Sequence, residues 1–191
     1  MEHFTFKTYL SYKFLNSLFG SASLGTIFTI YAILPPKTFS IGGITLALGA
    51  WILTFFYTQL LKTKPYKIIL LMIEILPFCY LAAYLLFPNT FYGAILIYAL
   101  YQIGFIFGDY LSRNETLIFH TKDYLSKIDK ARQIGYLSGL SLAFIFYFIL
   151  EKFGIDSKET QIYNIHFLLL LLQCLVILTL ILSFKGKSCK T

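Results

Sequence analysis

Tyr98, Gln102, Asp109 and Arg113 are spaced by four, seven and four residues, so on a helix they share one face. The surrounding sequence is apolar and aromatic. Polar groups in a lipid-spanning helix turn toward protein or a water-filled cavity, because hydrocarbon offers them no hydrogen-bond partner. A polar stripe that ends in an acid and a base at one membrane surface fits a solute pathway and its gate. The plainer alternative is a packed helix with an ordinary charged end. Glu74 is the other chemically expressive residue, seven residues into an earlier apolar run that begins at Lys67. An ionised carboxylate at that depth costs several kcal/mol, so Glu74 is expected protonated or paired. Protonatable groups at the midplane are what proton-coupled transport requires. The competing reading is a neutral Glu bonded to a neighbouring helix, beside a carbonyl freed by Pro77.

Few other polar residues lie at membrane depth: Asn16, Gln173 and, close to the outer edge beside Tyr163, His166. Cys79 and Cys174 fall within apolar runs and Cys189 in the tail, with no ligand spacing, so neither a metal site, a cofactor nor a disulfide framework is expected. The chain carries no phosphate-cradling Gly loop, no Gly-x-Ser-x-Gly elbow and no HExxH, and its HTKD run does not make an HxxxxD pair. An enzyme is therefore not expected.

The elements that must position these residues are membrane helices. Of 191 residues 58% are hydrophobic and only 13% charged, well away from a soluble composition of about 45–50% and about 25%. The first apolar run lacks a small-residue cleavage site and is expected to be a retained helix. Six spans can be drawn, at 14–34, 40–61, 67–87, 91–112, 133–151 and 163–184, each near the roughly 20 residues a bilayer needs. The segment 113–132 places Leu117, Ile118, Tyr124, Leu125 and Ile128 among charges at helical spacing, which predicts an amphipathic connector at the membrane surface.

Lys and Arg fix the orientation. With the N-terminus cytoplasmic, thirteen of the sixteen basic residues fall inside, and only Lys37, Lys152 and Lys158 fall outside. Both termini are thus expected in the cytoplasm. The net charge of +7 is spent on topology, which argues against nucleic acid as a partner. Asn114-Glu115-Thr116 matches a glycosylation acceptor but lies on the cytoplasmic side.

Small residues recur where helices approach closely: Gly135, Gly139 and Ala143; Gly43, Ala47 and Ala50; and Ser17, Ser21, Gly25 and Thr29.

The layout resembles one half of a major facilitator superfamily transporter, over about residues 12–184. The segment GDYLSRNETLIFHTKDYLSKIDKARQIGYLSG is similar to the link between the fourth and fifth helices of bacterial drug and sugar exporters. The shared features fall on Asp109, Ser112, Leu117-Ile118, Lys127 to Lys130, and Arg132 to Gly139. The loop YTQLLKTKPYKIILL departs from the family, lacking its Gly and Asp. The resemblance implies an all-α integral membrane protein of six helices over residues 1–191, built from two inverted three-helix repeats, in a bacterial inner membrane. It implies a secondary transporter of a small hydrophobic or amphipathic solute, completed by a homodimer or a second half-size chain within membrane lipids. Asn16, Tyr98, Tyr101 and Gln102 would then contact solute. Asp109, Arg113 and Arg132 would form the cytoplasmic gate, Glu74 would be the proton-coupling candidate, and spans two and five would cross between copies. The alternatives are a substrate-capturing subunit of an ATP-driven vitamin importer and a non-transporting accessory subunit.

Overall fold

The computed structural model describes residues 5–185, and every regular element among them is an α-helix. In chain order these are α1 (Phe6–Ala22), α2 (Leu24–Tyr31), α3 (Pro36–Thr54), α4 (Tyr57–Leu60), α5 (Thr63–Leu86), α6 (Phe91–Ile106), α7 (Gly108–Ile118), α8 (Lys122–Lys152) and α9 (Lys158–Ser183). Cys189, assigned above to the tail, lies outside the described residues.

Local sequence explains most of the boundaries. Pro36 opens α3, where a missing N–H costs nothing. Asn89 turns the chain between α5 and α6 with φ at 56°, and Thr90 then caps α6 by accepting the Gly93 N–H at 3.0 Å. Gly154, with φ at 77°, ends α8. Its N–H reaches the Glu151 carbonyl, and the Ile155 N–H reaches that of Leu150, each at 3.0 Å. This paired closure depends on a residue free to enter the left-handed region. Ser157 opens α9 by accepting the Thr160 N–H at 3.2 Å.

Five helical segments are long and apolar enough to cross a membrane: Pro36–Thr54, Thr63–Leu86, Phe91–Ile118, Lys122–Lys152 and Lys158–Ser183. The expected span at 14–34 is not among them, because the helix is interrupted at Ser23 and neither piece reaches the length. The hydroxyl of Ser21 bonds the Leu18 carbonyl at 3.2 Å, and that of Ser23 bonds the Gly20 carbonyl at 2.9 Å. Hydroxyls that bond back into their own turn bend helices, which accounts for the break. The connector at 113–132 is not one element. Its first part completes α7, residues 119–121 leave the helix, and the remainder forms the opening turns of α8.

The chain divides into two compact units. The first, residues 31–122, holds α3 to α7, with α6 lying along both α3 and α5. The second holds α1, most of α2, α8 and α9. The expected spans two, three and four thus associate, as do the first, fifth and sixth. This grouping does not follow the expected halves of three consecutive spans.

In the second unit α1 runs beside α9, and the Thr5 N–H donates to the Ser183 carbonyl at 2.8 Å. Ile165, Leu169, Leu172, Val176 and Leu180 form the buried face of α9 at helical spacing. Gly135 and Gly139 on α8 lie against α1. A Cβ on Gly135 would overlap the Phe14 carbonyl oxygen, and one on Gly139 the Leu18 carbonyl oxygen and the Ser21 hydroxyl. In lipid, close packing rather than water exclusion holds helices together, and glycine permits this approach. The Gly135, Gly139 and Ala143 face, expected to meet a second copy, is therefore buried inside the chain against α1.

Candidate functional site

The face of α6 that carries Tyr98, Tyr101 and Gln102 meets aromatic side chains from three other elements of the first unit. The Tyr31 ring stands edge-on to Tyr98 at 5.3 Å and to Tyr101 at 6.4 Å, between ring centroids. Phe39 of α3 lies 5.5 Å from Tyr98 and 6.3 Å from Tyr31. Tyr80 of α5 stacks on Tyr101 at 4.3 Å, and the two side chains share a hydrogen bond. Edge-to-face and offset arrangements satisfy the charge distribution of aromatic rings, so the cluster is cohesive without polar contacts.

Two polar atoms, one in this cluster and one on the same face of α6, are left over. The Tyr31 hydroxyl and the Gln102 Oε1 are both buried, and among the described residues neither has a hydrogen-bond partner. An unmet buried polar group costs about 1–3 kcal/mol, so each calls for a function or a partner. Gln102 Oε1 can only accept, whereas a tyrosine hydroxyl can donate and accept. Together they suit a small molecule with an apolar, flat body and at least one N–H or O–H donor.

The backbone of α3 is shaped to this cluster. Gly42 lies flat against the Tyr98 ring, leaving no room for a Cβ, and the Tyr98 hydroxyl donates to the Phe39 carbonyl at 3.4 Å. Glu74 is buried on α5, within electrostatic reach of the Tyr80 hydroxyl. Asn16 is elsewhere. It belongs to the second unit, where its amide donates to the Tyr12 hydroxyl at 3.0 Å. Sequence reasoning missed Tyr31, Phe39 and Tyr80, because nothing in their spacing links three different helices to one face of α6.

Among the described residues, those expected to form a charged gate are not joined to one another. Asp109 and Arg113 are both exposed, and among the described residues they form no ion pair with each other. Arg113 instead lies over the Tyr57 ring at 5.9 Å. Arg132 reaches Asp129, three residues earlier on its own helix, at 3.7 Å. Two neutral neighbours make the firm contacts. The Tyr110 hydroxyl donates to the Leu60 carbonyl at 2.9 Å, and the Asn114 amide donates to the carbonyls of Leu60 at 3.3 Å and Lys62 at 3.4 Å. The same amide reaches the Tyr110 hydroxyl at 3.2 Å.

His166, expected at the outer edge, is buried in the second unit. Its Nδ1 lies 2.7 Å from the Ile162 carbonyl, which can only accept, so that nitrogen carries the proton. On α3, Gly43 and Ala47 are exposed and Ala50 is half-buried, with open space over Gly43. The tight contacts of α3 fall instead on Gly42 and on Gly49, which faces Ile106. Among the described residues no group of three or more His, Cys, Asp or Glu side chains is placed to hold a metal ion. No family model, curated protein or solved structure matches the chain.

Proposed function

We propose that this chain is a membrane carrier of a small amphipathic solute that binds against the α6 face in the first unit. The observation that carries the reading is the pair of unpartnered buried atoms, Tyr31 Oη, set among the rings of Tyr98, Tyr101 and Phe39, and Gln102 Oε1, one turn along α6 from Tyr98. A bound solute would supply the missing donor and stack its apolar body on tyrosine. Glu74 is the proton-coupling candidate, as the buried acid on α5 within electrostatic reach of Tyr80 in the cluster.

On this reading α1 and α2 cross together as a first, bent span, giving six crossings with both termini in the cytoplasm. Hydrogen bonds from Ser23 N–H to Phe19 O and from Ile27 N–H to Ser23 O, at 3.0 and 3.1 Å, carry the helix through its break and support this. Six spans with like-facing ends let two copies insert in the same sense and act as the halves of an alternating-access carrier of major facilitator type. The exposed Gly43–Ala47 face of α3 is the surface offered to the second copy, since the α8 face is taken.

The test is movement of ethidium, a planar amphipathic cation with amino donors, in proteoliposomes under a pH gradient. Wild-type protein is expected to move it, and Gln102→Leu and Tyr31→Phe to reduce the rate about tenfold, the effect of losing a hydrogen bond that a buried polar site requires. Equal rates with and without protein across a panel of such probes would overturn the reading. So would purification of the chain as a stoichiometric complex with an ATPase pair, which would favour the importer-subunit alternative.

A further inference from the structure

The contacts that Tyr110 and Asn114 make are unusual in what they join. Both donors sit on α7, and both carbonyls belong to the turn at Leu60–Lys62 between α4 and α5, about fifty residues earlier in the chain. Leu60 is the last residue of α4 and Lys62 caps the start of α5, where the Tyr66 N–H reaches the Lys62 carbonyl at 3.1 Å, so the Leu60 carbonyl at the end of α4 has no i+4 helical donor. Leu60 O receives the Tyr110 hydroxyl, the Asn114 amide and the Lys62 N–H, the last at 2.7 Å. The donors themselves are sealed from solvent, with Tyr110 0% and Asn114 1% exposed. The Tyr57 ring of α4 packs 6.3 Å from Tyr110 on the same side.

Immediately before this fastening the helix is broken. α6 ends at Ile106, Phe107 closes it with its N–H on Gly104 O at 3.3 Å, and α7 starts at Gly108, over which there is open space. The chain can bend at this point without a side chain to obstruct it. Across the break the Leu111 N–H still reaches the Phe107 carbonyl at 2.9 Å, whereas the side-chain hydrogen bonds of Tyr110 and Asn114 lead from α7 to the α4–α5 turn.

We propose that Tyr110 and Asn114 are a neutral latch that fastens the α4–α5 turn to α7, so that the two move as one body about the Phe107–Gly108 break. Asp109 and Arg113 flank Tyr110 and Asn114 in sequence but face outward, and Arg113 adds only its exposed contact with the Tyr57 ring. Hydrogen bonds between uncharged, buried groups are indifferent to ionic strength, whereas an exposed ion pair weakens as the Debye length falls. The latch stands independently of the transport reading, since it concerns how the unit moves and not what it binds.

The experiment places nitroxide labels on cysteines at Thr58 and Thr116, both exposed and one on each latched element, in full-length protein in nanodiscs. A second pair joins Thr116 to Ile103, also exposed, across the break. The expected result is one narrow distance distribution for the 58–116 pair, unchanged between about 0.05 and 0.5 M salt, where screening lengths differ several-fold. Asn114→Leu should broaden that distribution and leave the α5–α6 packing intact, with amide exchange in residues 57–62 faster by about tenfold. Tyr110→Phe removes one donor, keeps the ring, and should give a smaller change in the same direction, which preserves the test if Asn114→Leu folds poorly. A 58–116 distribution as narrow in both variants as in wild type would overturn the latch. Broadening by salt alone, or faster exchange spread evenly over α5 and α6, would also overturn it, the first pointing to an ionic fastening and the second to ordinary core packing. A 103–116 distribution as narrow as the 58–116 one would remove the break as the pivot.

Discussion

Gly42 touches the ring of Tyr98 so closely that a Cβ on residue 42 would come within 2.6 Å of the ring's Cζ. This contact sets how near α3 comes to α6, and therefore where the Tyr98 ring stands relative to Tyr31 and Phe39. Gly42→Val is expected to destabilise the protein by about 1–3 kcal/mol, the usual range for overpacking. Gly43→Val, one residue on and over open space, should change stability by no more than about 0.5 kcal/mol. Thermal unfolding of both variants in the same detergent checks the pair.

Gly139→Leu acts within the chain. Its side chain would meet the Leu18 carbonyl and the Ser21 hydroxyl on α1. Backbone atoms cannot step aside as a flexible side chain can, so loss of folded monomer is expected, with melting lowered before any change of oligomeric state. A variant that melts like wild type but has lost only a dimer would show that α1 does not press on this face.

Substituted cysteines at Lys37, Asn89 and Lys158, all exposed, should react with impermeant maleimide from outside the cell. Labelling of any of them only after the inner face is opened would reverse the assigned orientation.

Asp109→Lys separates fold from movement. Asp109 is exposed and without an ion pair to Arg113, so the reversal should shift stability by less than about 0.5 kcal/mol. Ethidium movement in proteoliposomes is expected to fall while melting holds. Equal falls in both would assign Asp109 a folding role.

What was legible in the sequence follows from how local the cause is. Pro35-Pro36, Pro88-Asn89 and Gly154 act through their own backbone, and the helix ends sit beside them. The break at Ser23 was not legible, because a hydroxyl becomes a helix bend only when it turns back onto its own carbonyls. On α3 the small residues 42, 43, 47, 49 and 50 mark two faces, and the pattern alone chose Gly43–Ala47–Ala50 while the chain packs through Gly42 and Gly49. Gly135 and Gly139 were legible as points of close approach, but their partner α1 lies more than a hundred residues away in sequence. The aromatic cluster was half legible: Tyr98, Tyr101 and Gln102 share a face by periodicity, whereas Tyr31 reaches it only through the fold.

The burial of Asn114 has a consequence for how the chain can be made. Its Nδ2 is the atom to which a secretory pathway would attach a sugar at Asn114-Glu115-Thr116, and that atom is spent on Leu60 and Lys62 with 1% of the residue left exposed. Such sugars are added to chains before they fold, so a modified chain would arrive with a bulky tree on a residue that folding buries. A ribosome-side placement of the Arg113–Arg132 segment would keep the triplet out of reach of the transferase. In a glycosylating host, then, a chain inserted with this segment on the lumenal side and modified there could not close the corner, and a single asparagine would report how the segment was placed.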